Sequence, residues 1–78
     1  MHIAFVLINA ELGKEREILK ELRGMSEIKE AHIVFGVYDI IAKVETAGAD
    51  ALKETVASKI RRIREIRNTL TMTVAEGI

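Results

Sequence analysis

The order of apolar patterns along this chain predicts an α+β domain, a four-stranded antiparallel sheet carrying two helices on one face. Three observations carry that expectation. Stretches rich in β-branched residues read as strands near 2–9, 28–35, 38–46 and 66–75. Two charged segments, 13–25 and about 50–64, repeat their apolar residues at helical spacing. Each helix lies between two strands, so the chain reads strand–helix–strand twice, with the halves meeting at Gly36.

The first strand, within "HIAFVLINA", is apolar on both alternating sets, Ile3, Phe5, Leu7 and Ala4, Val6, Ile8. A strand apolar on both faces is one covered on both faces. In "GKEREILKELRGM", Ile18, Leu19, Leu22 and Met25 make a single stripe, and Gly24 marks the C-terminal stop. "IKEAHIVF" alternates Ala31, Ile33 and Phe35 against Glu30, His32 and Val34. Gly36-Val37 then reads as a tight connection, with Gly36 supplying a backbone conformation that other residues resist. In "YDIIAKVET", Tyr38, Ile40, Ala42 and Val44 share one face, and Asp39, Ile41, Lys43 and Glu45 the other. Asp50 suits a helix cap or first turn, and Leu52, Val56, Ile60 and Ile63 form the second helical stripe. In the last strand Ile66, Leu70, Met72 and Val74 alternate with Arg67, Thr69, Thr71 and Thr73.

Two interleaved strand–helix–strand units give the ferredoxin-like βαββαβ plan, with strands in the spatial order 4-1-3-2 and one domain over residues 1–78. On this plan the sheet face away from the helices carries apolar residues of the first strand, Ile41, and the threonines of the last. An apolar open face in water calls for a partner, and a second copy of the same face is the simplest one. A homodimer is therefore expected. Size supports it. A chain of 78 residues buries only about 60% of its unfolded surface, and without cysteine no disulfide can staple it.

Composition excludes several function classes. Twelve basic residues balance twelve acidic ones, so the chain has no overall attraction to nucleic acid or to an anionic membrane. The longest apolar run, "IAFVLI" at 3–8, is too short to span a bilayer, and a cytoplasmic location is expected. Ser26 and Ser58 have no patterned histidine partner, and no glycine-rich phosphate loop follows a strand. His2 and His32 are isolated, without the spacing a metal site needs. An enzyme, a metal and a cofactor are therefore not expected. The basic run "KIRRIREIR" at 59–67 fits a helix C-terminus whose cations complement the macrodipole, and too few aromatics are present for an RNA-stacking sheet.

"GVYD" at 36–39 raises the main functional question. Asp39 is expected on the open face beside apolar neighbours, with Thr69 and Thr71 on the corresponding face of the last strand. A carboxylate together with hydroxyls can hold an ammonium and a carboxylate, the polar ends of an amino acid. The first strand separates these groups by about 10 Å, so they would converge only between subunits.

"AFVLIN", "GVYDIIAKVET" and "KIRRIREIRNTLTMTV" resemble the effector-binding domain of the Lrp/AsnC transcription regulators, called RAM, over essentially the whole chain. The resemblance implies the βαββαβ fold, dimers packed sheet against sheet, dimers assembled into octamers, and a free amino acid held between dimers. Carried over by motif, Gly36, Tyr38, Asp39, Thr69, Leu70 and Thr71 would line that site. The chain starts at the first strand, so it resembles the stand-alone RAM form without the helix-turn-helix domain. That form implies no direct specific DNA binding, no membrane, and action through full-length regulators. The alternative from another class is a small dimeric enzyme of the cofactor-free oxygenase type, for which His32 and Tyr38 are the only residues to hand.

Overall fold

The structure, a computed structural model, describes residues 1–76. Strand β1 (His2–Ala10), helix α1 (Glu15–Arg23), strands β2 (Ile28–Ile33) and β3 (Ile40–Thr46), helix α2 (Ala49–Glu54) and strand β4 (Ile66–Thr73) follow in that order. A π-helical segment, Thr55–Ile60, continues α2. The sheet is antiparallel with spatial order β2-β3-β1-β4, which is the predicted order.

One core joins sheet and helices. Ala4, Val6 and Ile8 of β1 meet Ile40, Ala42 and Val44 of β3, and Ile18, Leu22, Leu52, Val56, Ile60 and Ile63 close over them. The second predicted helical stripe is buried as expected, and of the first Ile18 and Leu22 are buried while Leu19 and Met25 pack partly buried against the core. Truncating a fully buried residue such as Leu22 to alanine costs about 2–5 kcal/mol. Glu15 and Glu17 in the first turn of α1 and Lys20 and Arg23 in its last suit the helix dipole. The Arg23 guanidinium donates to the Ala31 carbonyl at 2.8 Å and ties the end of α1 to β2.

Three local features depart from the sequence reading. The second helix does not run to 64. The helical segment ends at Ile60, its last six residues wound as a π-helix, and the chain then turns so that Ile63 still reaches the core. The β2–β3 connection is not a two-residue turn. Strand pairing stops at Ile33↔Ile40, and the loop closes through the Val34 N–H donating to the Asp39 carbonyl at 2.8 Å. Gly36 does not hold a left-handed conformation. The positive φ among the described residues is at Gly13, φ 78°, in the β1–α1 connection.

The fourth strand corrects a face assignment. Val6 pairs with Thr71, Ile8 with Thr69 and Ala4 with Thr73, so the threonines lie on the helix side of the sheet, not on its open face. Leu70 and Met72, opposite Leu7 and Phe5, lie on the open face instead. The cause is a β-bulge. Asn9 pairs with Asn68 but Ala10 pairs with Ile66, which leaves Arg67 as the extra residue. The bulge sends Ile66 to the core side, against the simple alternation that grouped it with Leu70.

Candidate functional site

The hairpin end of the sheet gathers chemistry from three connections. Asp39 precedes β3, and its N–H donates to the Ile8 carbonyl at 2.9 Å. Its carboxylate Oδ2 accepts the Ala10 N–H at 2.9 Å. The side chain therefore turns towards the end of β1, where the bulge disrupts pairing with β4. Among the described residues Oδ1 has no hydrogen-bond partner, so the carboxylate keeps acceptor capacity for a ligand.

Beside Asp39 lies a cleft of about 310 Å³ lined by Glu15, Arg16, Ile33, Val34, Phe35 and Asp39. Two acids and one guanidinium thus share the cleft with three apolar side chains. Among the described residues neither Arg16 nor Asp39 belongs to an ion pair, so both charges are available to a ligand. Phe35 stands fully exposed at the rim. Sequence reasoning missed Arg16 and Glu15 because the outer face of α1 is charged throughout. The signal available was their place in the first turn, at the end of the sheet where "GVYD" also sits.

The other predicted residues do not join this cleft within one chain. Gly36 is exposed and Tyr38 half-buried, and neither lines this cleft. Thr69 pairs with Ile8 on the far side of β1 from Asp39, two strand spacings or about 10 Å away. Thr71 lines a groove between the π-helical segment and β4, and Leu70 is on the open face, 45% exposed. The residues named for an enzyme are also apart. His32 is an exposed open-face residue 3.3 Å from Glu30, and the small hollow it lines does not include Tyr38. Among the described residues no group of His, Asp and Glu side chains is arranged to hold a metal ion. No helix among them is long and apolar enough to cross a membrane.

A family model for the Lrp/AsnC ligand binding domain matches residues 3–78. The chain belongs to this family. A helix-turn-helix-type transcriptional regulator of Pyrococcus furiosus is 33% identical over 72 residues, 88% of this chain and 48% of that protein. Among solved structures, a hypothetical protein of Pyrococcus horikoshii is 44% identical with a TM-score of 0.92, covering 96% of this chain and 90% of the other. Escherichia coli AsnC is 30% identical with a TM-score of 0.89, covering 96% of this chain and 51% of its own. This Lrp/AsnC domain spans about half the length of the curated relatives it matches. Relatives of the domain are named as transcriptional regulators. Its fold, strand order and family are those read from the sequence.

Proposed function

We propose that this Lrp/AsnC domain is an amino-acid sensor that acts in transcription regulation through helix-turn-helix-type regulators. The observation that carries the reading is the make-up of the cleft at Asp39. Asp39 and Glu15 suit an ammonium, Arg16 suits a carboxylate, and Ile33, Val34 and Phe35 suit an apolar side chain. A zwitterion with an apolar side chain matches all three.

The assembly completes the site. On the open face Ile3, Phe5, Leu7, Ile41, Leu70 and Met72 form an apolar stripe across β3, β1 and β4, bordered by Glu30, Lys43, Asn9 and Asn68. Two copies pack these stripes together, and dimers join into a ring, with the octamer of the family as the expected size. A neighbouring dimer then brings Thr69 and Thr71 to the "GVYD" end, closing the cleft over the ligand, while Leu70, on the other face of β4, stays in the dimer stripe. With zero net charge the domain leaves sequence-specific DNA contact to its regulator partners.

A thermal-shift screen of the common amino acids tests the reading, because a ligand that binds only the folded form raises the midpoint. One or a few apolar amino acids should raise it, and their methyl esters, lacking the charged carboxylate, should not. A flat response to every amino acid contradicts the proposal.

A further inference from the structure

We infer that the connection between the π-helical segment and β4 is a contact surface for the phosphate backbone of duplex DNA. The inference goes beyond amino-acid sensing, and its choice of partner rests on the helix-turn-helix-type regulators proposed above. In the sequence the run "KIRRIREIR" suits a helix C-terminus, but the helical segment stops at Ile60. The dipole of that segment accounts for Lys59 in its last turn, and Lys59 is already paired with Glu27. Arg62, Arg64 and Arg67 lie beyond the helix and call for another account. Arg61 is set aside, because it lines the same groove as Thr71 of the amino-acid site.

The local backbone makes a knuckle of these residues. The Ile63 N–H donates to the Ile60 carbonyl at 3.1 Å, and the Ile66 N–H donates to the Ile63 carbonyl at 3.2 Å. Two tight turns therefore follow one another, pegged to the core by isoleucine at every third residue. Ile60 and Ile63 are buried, and Ile66 packs against the core. The Glu11 N–H, donating to the Glu65 carbonyl at 2.7 Å, ties the second turn to the end of β1. With the isoleucines held inward, Arg62 and Arg64 are exposed. Arg67 is the extra residue of the bulge and is exposed too. A bulge re-aims the side chain it inserts. Three guanidiniums thus share one corner of the sheet.

The charge pattern names the partner. Among the described residues none of the three arginines belongs to an ion pair. Glu11 and Glu65 are the acids of this corner, so it stays positive although the chain as a whole is neutral. Guanidinium forks match phosphate oxygens. The segment 61–67 exposes no large apolar side chain, whereas a protein partner is held by buried apolar or aromatic anchors. It has no aromatic residue on which a single-stranded base could stack. A duplex backbone asks for neither, and duplex DNA is what a helix-turn-helix regulator holds. Phosphate contacts of this kind position the duplex without reading its sequence.

Fluorescence anisotropy of a short labelled duplex, titrated with the full chain at several salt concentrations, tests this. At low salt the parent should bind with a dissociation constant of about 10⁻⁴ M or below, and three phosphate contacts should give the log–log salt plot a slope of about −2.7. R62Q/R64Q/R67Q should keep native circular dichroism, bind at least about tenfold more weakly and flatten that slope. R62K/R64K/R67K keeps the charge and should bind with a slope close to the parent's. K20Q/K29Q, which removes two cations elsewhere, should leave binding unchanged. Duplexes rich in A·T and in G·C should bind alike. Absence of binding by the parent at low salt and about 1 mM protein overturns the inference. So does a glutamine variant that binds as the parent does, or a K20Q/K29Q loss as large as that of the triple variant. Polyglutamate that displaces the duplex as well as unlabelled duplex does would also overturn it, and would make the corner a surface for acidic proteins. A flat amino-acid screen bears on the cleft at Asp39 and leaves this result as it stands.

Discussion

The carboxylate of Asp39 accepts the backbone N–H of Ala10 at 2.9 Å, joining the start of β3 to the end of β1 across the bulge. The sequence marks Asp39 as a ligand-binding residue. The hydrogen bond adds a structural task, and two substitutions separate the two.

Asp39→Ala leaves the part-buried Ala10 N–H without its acceptor and should cost about 1–3 kcal/mol of stability. Asp39→Asn keeps an oxygen for that N–H and should lose much less. Urea unfolding of both variants checks the order. Equal stability of the alanine variant and the parent would remove the structural role.

The glycines of the two connections should behave oppositely. Gly36 has no positive φ, and an added Cβ meets nothing within 4 Å, so Gly36→Ala should fold as the parent does. This corrects the expectation that the hairpin depends on Gly36. Gly13 has φ 78°, where a side chain is strained, and Gly13→Ala should cost about 1–2 kcal/mol. Thermal melts of the pair decide the matter.

On β1, adjacent residues test the two faces of the sheet. Phe5 is on the open face and Val6 is fully buried under the helices. Phe5→Asp should turn an oligomer into a folded monomer, read by light scattering with native circular dichroism. Val6→Asp should unfold the chain, since a buried unpaired carboxylate costs several kcal/mol on the order of magnitude. If the parent itself scatters as a single 8.7 kDa chain at micromolar concentration, the sheet-to-sheet dimer is wrong.

Much of this architecture was legible in the sequence because each element had a periodic apolar set. Ile18 and Leu22, or Leu52, Val56 and Ile60, could pack only one way. The two-faced β1 had to be central. What was hidden has local causes. A bulge at Arg67 shifts the phase of β4, so the threonines went to the wrong face, and alternation alone carries no mark of an extra residue. The π segment was invisible because the spacing of Leu52, Val56 and Ile60 suits an α-helix as well. Asp39 stood out by chemistry, whereas its cleft partner Arg16 looked like one of many surface charges on α1.

Acid should remove a further contribution. The Lys59 ammonium, hydrogen-bonded to Glu27, is the main cause holding the Glu27 carboxyl below its ordinary value of 4.5, with the backbone hydrogen bond second. The folded pKa is lower than the unfolded one, so this stabilisation is complete above about pH 4.5 and is lost as pH falls through the lowered folded value. Lys59→Met should cost about 1 kcal/mol or less at neutral pH, because the pair is partly exposed. It should also flatten the acid limb of stability against pH. An acid limb identical to the parent's would show that Glu27 titrates unaided.

The central claim is that the cleft at Asp39 holds an amino acid through its charges. Isothermal titration of the best amino acid from the thermal screen into the parent and into Asp39→Asn tests it most directly. The asparagine variant should keep its fold and its oligomeric state. Its affinity should fall about ten- to hundredfold, the worth of one charged hydrogen bond to the ligand ammonium. Binding by the folded variant as tight as the parent's would contradict the account.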